Sequence, residues 1–167
     1  MTDPHAVAEG LTQEGSHKLR ILCVGMAGGV LLLAGWVAWT YICGAVDTHP
    51  NAARFINIMT MVAMGWTLAA IASGEFLWRR LVRGIASPAD ADGVVHMAFV
   101  LRLALREGAA MLGLVVCFLA ARNGVLSAFP AYWVNAAPAA LFLFFLWARW
   151  PSLDNLRAQV KDALPFA

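Results

Sequence analysis

Charge is scarce in this chain. Asp, Glu, Lys and Arg make up 13% of its 167 residues, against 61% hydrophobic residues and a mean hydropathy of +0.70. A soluble domain carries roughly 25% charged residues. A water-soluble globule is therefore excluded, because helices built from these runs would have no polar face to turn to water. Concentrated charge is missing too. No basic tract points to nucleic acid and no acidic tract to a solvating tail, and the net charge is +2. The ten-residue alternating segments of a membrane β-barrel are absent. Cys23, Cys43 and Cys117 show no CxxC spacing and no neighbouring histidine, so they read as small buried hydrophobes.

What the chain does have is four long apolar runs, about 19–43, 55–78, 97–121 and 129–150. Each is long enough to cross a bilayer core of about 30 Å as a helix, which is the form lipid demands of an open backbone. The expectation is one all-α integral membrane four-helix bundle over 18–150. A polar tail, loose or forming a short surface helix, precedes it over 1–17. The tail makes a poor signal peptide, because the first apolar run is too long and begins too late.

Basic residues orient the bundle. One side would hold Lys18, Arg20, Arg79, Arg80, Arg83, Arg102, Arg106, Arg149, Arg157 and Lys161, and the other Arg54 and Arg122. Ten against two predicts cytoplasmic termini. Trp36, Trp39, Tyr41, Tyr132 and Trp133 would anchor the outer face, and Trp78, Trp147 and Trp150 the inner. His49-Pro50-Asn51 and Arg122-Asn123-Gly124 punctuate the outer turns. In this layout His49 and His96 lie a membrane apart, with His5 and His17 in the tail. No metal site and no cofactor is expected. Cys43 and Cys117 fall toward the same end of their spans, which leaves a disulfide as a minor alternative. On the inner loop, Asp90-Ala91-Asp92-Gly93 lacks most ligand positions of a calcium loop and reads as a helix-capping turn. After Trp150, the 151–167 segment carries Leu153, Leu156, Val160 and Leu164 at helical spacing, with Ser152 as cap. It reads as a short amphipathic helix lying on the lipid surface, with docking onto a partner as the alternative.

Small residues suggest packing faces. Gly25 and Gly29 stand in GxxxG spacing, and Gly108 and Gly113 mark the third span. They favour close helix approach within the chain, or between copies of it. Pro138 interrupts the fourth span and frees the Val134 carbonyl. Asn135, Asn57 and Thr60 are hydrogen-bonding glue between helices.

Ionisable groups inside the apolar runs are costly and mark function by default. Gly108 to Ala121 is too short to span, so Arg106 and Glu107 are drawn into the hydrocarbon. Glu75 stands four residues before Arg79 and is expected to pair with it. Arg102 is expected to reach toward the inner face. Arg106 points about 100° away from Glu107 around the helix. Glu107 therefore either stays protonated through desolvation, or stays charged by pairing with an arginine from the second span or from a neighbouring protomer.

The run Leu103-Ala104-Leu105-Arg106-Glu107-Gly108-Ala109-Ala110-Met111-Leu112-Gly113-Leu114 is followed by Ala121-Arg122-Asn123-Gly124. Further on comes Trp150-Pro151-Ser152-Leu153-Asp154-Asn155-Leu156. Together these resemble a family of uncharacterised small bacterial four-helix membrane proteins. The resemblance covers about the last 70 residues well and the first 90 in layout, and implies no activity. Glu107 to Leu114 also resembles the carboxylate helix of rotary-ATPase proteolipid (c) subunits, whose mid-membrane Glu binds a proton or sodium ion. The glycine ladder of that family is missing, and Arg106 beside the carboxylate departs from it. The residues themselves suit two functions: a non-catalytic accessory or assembly subunit of a larger or homo-oligomeric complex, or an ion-handling oligomer using Glu107. Membrane lipid and other membrane subunits are the expected partners. No nucleophile–base pair points to an enzyme.

Overall fold

The computed structural model describes residues 4–44 and 52–164. The turn His49-Pro50-Asn51 lies outside them. Every regular element among the described residues is helical: α1 (Pro4–Glu9), α2 (Gln13–Cys43), α3 (Ala52–Arg83), α4 (Ala91–Arg122), α5 (Val125–Ala128), α6 (Ala137–Ala148) and α7 (Leu153–Ala163). Short 3-10 segments, Pro88–Asp90 and Pro130–Ala136, lead into α4 and α6. Four helices are long and apolar enough to cross a membrane: α2, α3, α4 with its leading turn, and α6 with its own.

Local chemistry sets the ends. The Thr12 hydroxyl accepts from the Gly15 amide and caps α2, and the Ser152 hydroxyl accepts from the Asn155 amide and caps α7. Arg80 and Arg83 close α3 and Arg122 closes α4, each complementing the negative end of its helix. Gly124 turns the chain with φ 68°, a conformation glycine adopts without strain.

Helix α4 is the axis. It packs against α2, α3 and α6, while α2 and α3 make little contact with each other. The interior of the bundle joins Cys23, Val30 and Val37 of α2 to Phe99, Leu103, Ala110 and Leu114 of α4 and Phe142 of α6. A second cluster, Ile56, Ala63, Val116, Ala120 and Leu126, seals the far end. The outward faces are apolar: Leu32 is 78% exposed and Met61 74%. Such a continuous apolar exterior suits lipid rather than water.

The fourth spanning element is wound in two ways. Seven 3-10 residues at about 2.0 Å rise and twelve α residues at about 1.5 Å give about 32 Å, a full crossing from a short sequence. Pro138 therefore sits in the first turn of α6 rather than within a continuous helix. The Val134 carbonyl it would have freed accepts from the Ala137 amide. Asn135, fully buried, donates to Thr60 Oγ1 and to the Tyr132 carbonyl, both at 3.0 Å, and the Tyr132 hydroxyl meets Asn57 Oδ1 at 3.0 Å. The expected hydrogen-bond glue thus ties α3 to the 3-10 segment.

Of the four glycines singled out for packing, one is tightly enclosed. A Cβ on Gly113 would collide with the Asn135 carbonyl and lie 3.2 Å from Pro138 Cγ. One on Gly108 would just touch Trp66 Nε1 at 4.0 Å, and ones on Gly25 and Gly29 would meet nothing within 4 Å. Among the described residues the GxxxG pair therefore has no helix packed closely against it, contrary to the intrachain expectation. Gly113→Val is expected to destabilise the bundle by about 1–3 kcal/mol through overpacking. Gly25→Ala should change the melting temperature of the isolated chain by no more than a degree or so, and a thermal melt in detergent compares the two.

The polar ends also depart from expectation. Residues 4–11 are not a loose tail: Val7, Ala8 and Leu11 are buried, and Arg157 Nε donates to the Ala8 carbonyl at 3.1 Å. Asp92 is not a cap of its own helix. It accepts from the Thr12 amide at 2.9 Å and the Thr12 hydroxyl at 3.0 Å, fastening the start of α2 to that of α4. Asp90 holds the N-cap position of α4 without a side-chain cap bond and takes the Ser87 hydroxyl instead. Helix α7 folds back on the chain's own bundle, burying Leu156, Gln159, Val160 and Ala163. Among the described residues the three cysteines are free, so Cys43 and Cys117 are not bridged.

Candidate functional site

Arg102 and Arg106 lie one turn apart on α4 and so share a face. That face meets the end of α3, where Gly74 lets the backbones come close: a Cβ there would stand 3.3 Å from Arg102 Cγ. The approach delivers both guanidinium groups to one oxygen of Glu75. Glu75 Oε1 accepts from Arg102 Nε at 2.9 Å, from Arg102 Nη2, and from Arg106 Nη2 at 2.6 Å. The fourth contact comes from α7, where Gln159 Oε1 accepts from Arg102 Nη1 at 3.2 Å.

Aromatic rings complete the enclosure. The Arg106 guanidinium lies 3.9 Å from the Phe145 ring centroid, and that of Arg102 lies 4.8 Å from Phe145 and 5.4 Å from Trp78. Ring faces attract cations, most strongly where water is excluded. Arg102 is 4% exposed, and its neighbours come from α3, α4, α6 and α7. One cluster therefore clamps α3, α4, α6 and α7 together.

The sequence-derived candidates are redistributed. Glu75 pairs with Arg102 and Arg106 across helices rather than with Arg79 along its own. Arg102 is sequestered rather than reaching outward. Arg79 is exposed and lines the cavity beside Glu75. Glu107 stands apart: it is half-buried on the flank of α4, and no hydrogen bond or ion pair reaches it among the described residues.

Sequence reasoning missed Gln159, Phe145 and Gly74, and it set Trp78 at the membrane interface, whereas Trp78 is buried against Arg102. A signal existed for Gln159, because it falls between Leu156 and Val160 on the apolar stripe of α7, where a polar side chain asks for a buried partner. The site offers fixed positive charge, with no nucleophile beside a base. No group of three or more metal-ligating side chains occurs among the described residues. Comparison of the chain with protein-family models, with curated proteins and with solved structures finds no match.

Proposed function

We propose that this chain is a non-catalytic integral membrane protein of the bacterial inner membrane, with both termini cytoplasmic, acting as an accessory or assembly subunit of a larger membrane complex. The excess of basic residues at one end supports the orientation. The observation that carries the function is Glu107. Counting about 20 residues back from Arg122 places the inner edge of the hydrocarbon near Arg102, so Glu107 lies inside it. A carboxylate at that depth calls for a cation or a donor. Its sequence neighbour Arg106 is held by Glu75, as is Arg102. The counter-group therefore comes from another membrane subunit, whose helix would bring a basic or hydrogen-bonding side chain to the exposed flank of α4.

Glu107→Gln tests this. In mild detergent the wild-type chain is expected to co-purify with its companion subunits at fixed stoichiometry, and the variant to lose them about tenfold, equivalent to about 1.4 kcal/mol, while its own melting temperature stays unchanged. A wild-type chain that purifies from native membranes without companions contradicts the proposal. A second reading gains from the same geometry. With Arg106 turned to Glu75, no fixed cation opposes a proton or sodium ion cycling on Glu107. Intact assembly in Glu107→Gln, together with loss of carbodiimide labelling and of ion coupling, favours that ion-handling oligomer.

A further inference from the structure

The Glu75 cluster is unbalanced in charge. Two guanidinium groups share one carboxylate oxygen. Arg79 and Arg149 stand within electrostatic reach of Arg102, and neither side chain has a hydrogen bond or ion pair among the described residues. Asp162 is the one further acid lining the same cavity. Three arginines line the cavity with two carboxylates, a net charge of +1, and Arg106 brings a further guanidinium to the same Glu75 oxygen.

Donors are left over as well. Gln159 is 3% exposed and turns its carboxamide oxygen to Arg102 Nη1. Arginine only donates, which fixes the orientation of the amide. Gln159, which lines the cavity, then leaves Nε2 buried without a partner; Arg106 Nε is buried without one as well, outside the cavity lining. Orphaned buried donors of this kind call for an acceptor. Water would satisfy them and leave the charge standing; an anion answers both.

The space is present. A cavity of about 80 Å³ lies among Glu75, Arg79, Arg102, Arg149, Gln159 and Asp162. It shares Glu75 and Arg79 with a groove of about 700 Å³ along the end of α3, which Phe76, Arg80 and Arg83 also line. Phe76 is 61% exposed beside these arginines, so the groove passes from cationic to apolar along one helix. A tetrahedral anion fits the small cavity, and an acyl chain fits the flank.

We propose that this pocket between α3, α4, α6 and α7 binds a phosphate group, presented as the headgroup of an anionic phospholipid of the cytoplasmic leaflet. The site rests on the membrane orientation proposed above and not on Glu107. Arginine forks match phosphate oxygens two at a time, and basic pockets between helices at this level suit anionic headgroups.

The test uses the full-length chain in mild detergent. Native mass spectrometry with added phosphatidylglycerol or phosphatidylcholine reads occupancy, and thermal melts read stabilisation. The wild type is expected to retain one phosphatidylglycerol per chain, preferred about tenfold over phosphatidylcholine, equivalent to about 1.4 kcal/mol. In Arg79→Gln/Arg149→Gln that preference should fall to parity. Both side chains are exposed and without a hydrogen bond or ion pair, so the fold should survive; Arg149→Gln alone serves if the pair does not express. Arg54→Gln/Arg122→Gln, with the same charge change at the opposite end, should keep the preference. A wild type without preference, or a pocket variant that retains it, overturns the proposal. Inorganic phosphate that raises the melting temperature of the wild type and displaces the lipid supports the shared phosphate chemistry. Stabilisation by phosphate with no lipid competition overturns the lipid source and leaves a soluble phosphate compound as ligand.

Discussion

Glu75→Gln is expected to lower the unfolding free energy by about 2–4 kcal/mol, somewhat under the range of a fully sealed ion pair that loses one partner. The reduction reflects geometry: the Glu75 side chain is 36% exposed, while those of Arg102 and Arg106 are 5% and 13% exposed. Removing the carboxylate leaves two guanidinium groups facing each other, with Arg79 and Arg149 adding to the repulsion. Arg102 holds three of the four hydrogen bonds in the cluster and Arg106 one. Arg106→Gln should therefore cost less than Arg102→Gln. The paired variant Glu75→Gln/Arg106→Gln should be more stable than the sum of its single variants predicts, because the second change removes one of the unpaired charges. Equilibrium unfolding in detergent of the single and paired variants measures the coupling. A Glu75→Gln chain as stable as the wild type would show that the arginines reach other counter-ions and that the shared carboxylate is incidental.

The same cluster shows which parts of the molecule were legible in the sequence. Four apolar runs and the excess of basic residues at one end need only composition and length, and the long helices follow the runs. Pairing was harder, because local spacing competes with tertiary contact. Glu75 and Arg79 satisfy the i,i+4 rule, which is worth about 0.2–0.5 kcal/mol on a helix surface. Two buried guanidinium groups on the facing helix outweigh that, and nothing within α3 announces them. The adjacency of Arg106 and Glu107 makes no pair, as the roughly 100° between helix neighbours leads one to expect, and Arg106 turns to Glu75 instead. The GxxxG pair of α2 states that a backbone can be approached, and not that one approaches it. Gly113 is enclosed because the chain winds into a narrower 3-10 helix over Pro130–Ala136, bringing the Asn135 carbonyl against it. Pro130 and Pro138 bracket that segment, but proline marks a break without specifying the winding between breaks.

Helix α7 makes the difference between an amphipathic pattern and its partner measurable. Val160→Asp is expected to destabilise the whole chain by about 2–5 kcal/mol, the combined effect of a lost packed side chain and a buried unpaired carboxylate. Val160 is 0% exposed and belongs to the interior shared by α1, α2, α4 and α6. Its stripe also carries Gln159 to Arg102 and, on the neighbouring face, Arg157 to the Ala8 carbonyl. Releasing α7 therefore opens three things together: the apolar floor of the bundle, the contact that covers Arg102, and the anchor of α1. The expected signature is a lower melting temperature accompanied by protease cleavage near both termini. A helix that merely lay on lipid would behave differently. Val160→Asp would then free residues 151–164 to protease while α1 stayed protected and the bundle melted as before. Because α1 and α7 are far apart in sequence and bound to each other in space, protection of α1 is the more telling readout. Its loss in a variant altered only at residue 160 is the outcome that separates docking on the chain's own bundle from a passive rest on the bilayer surface.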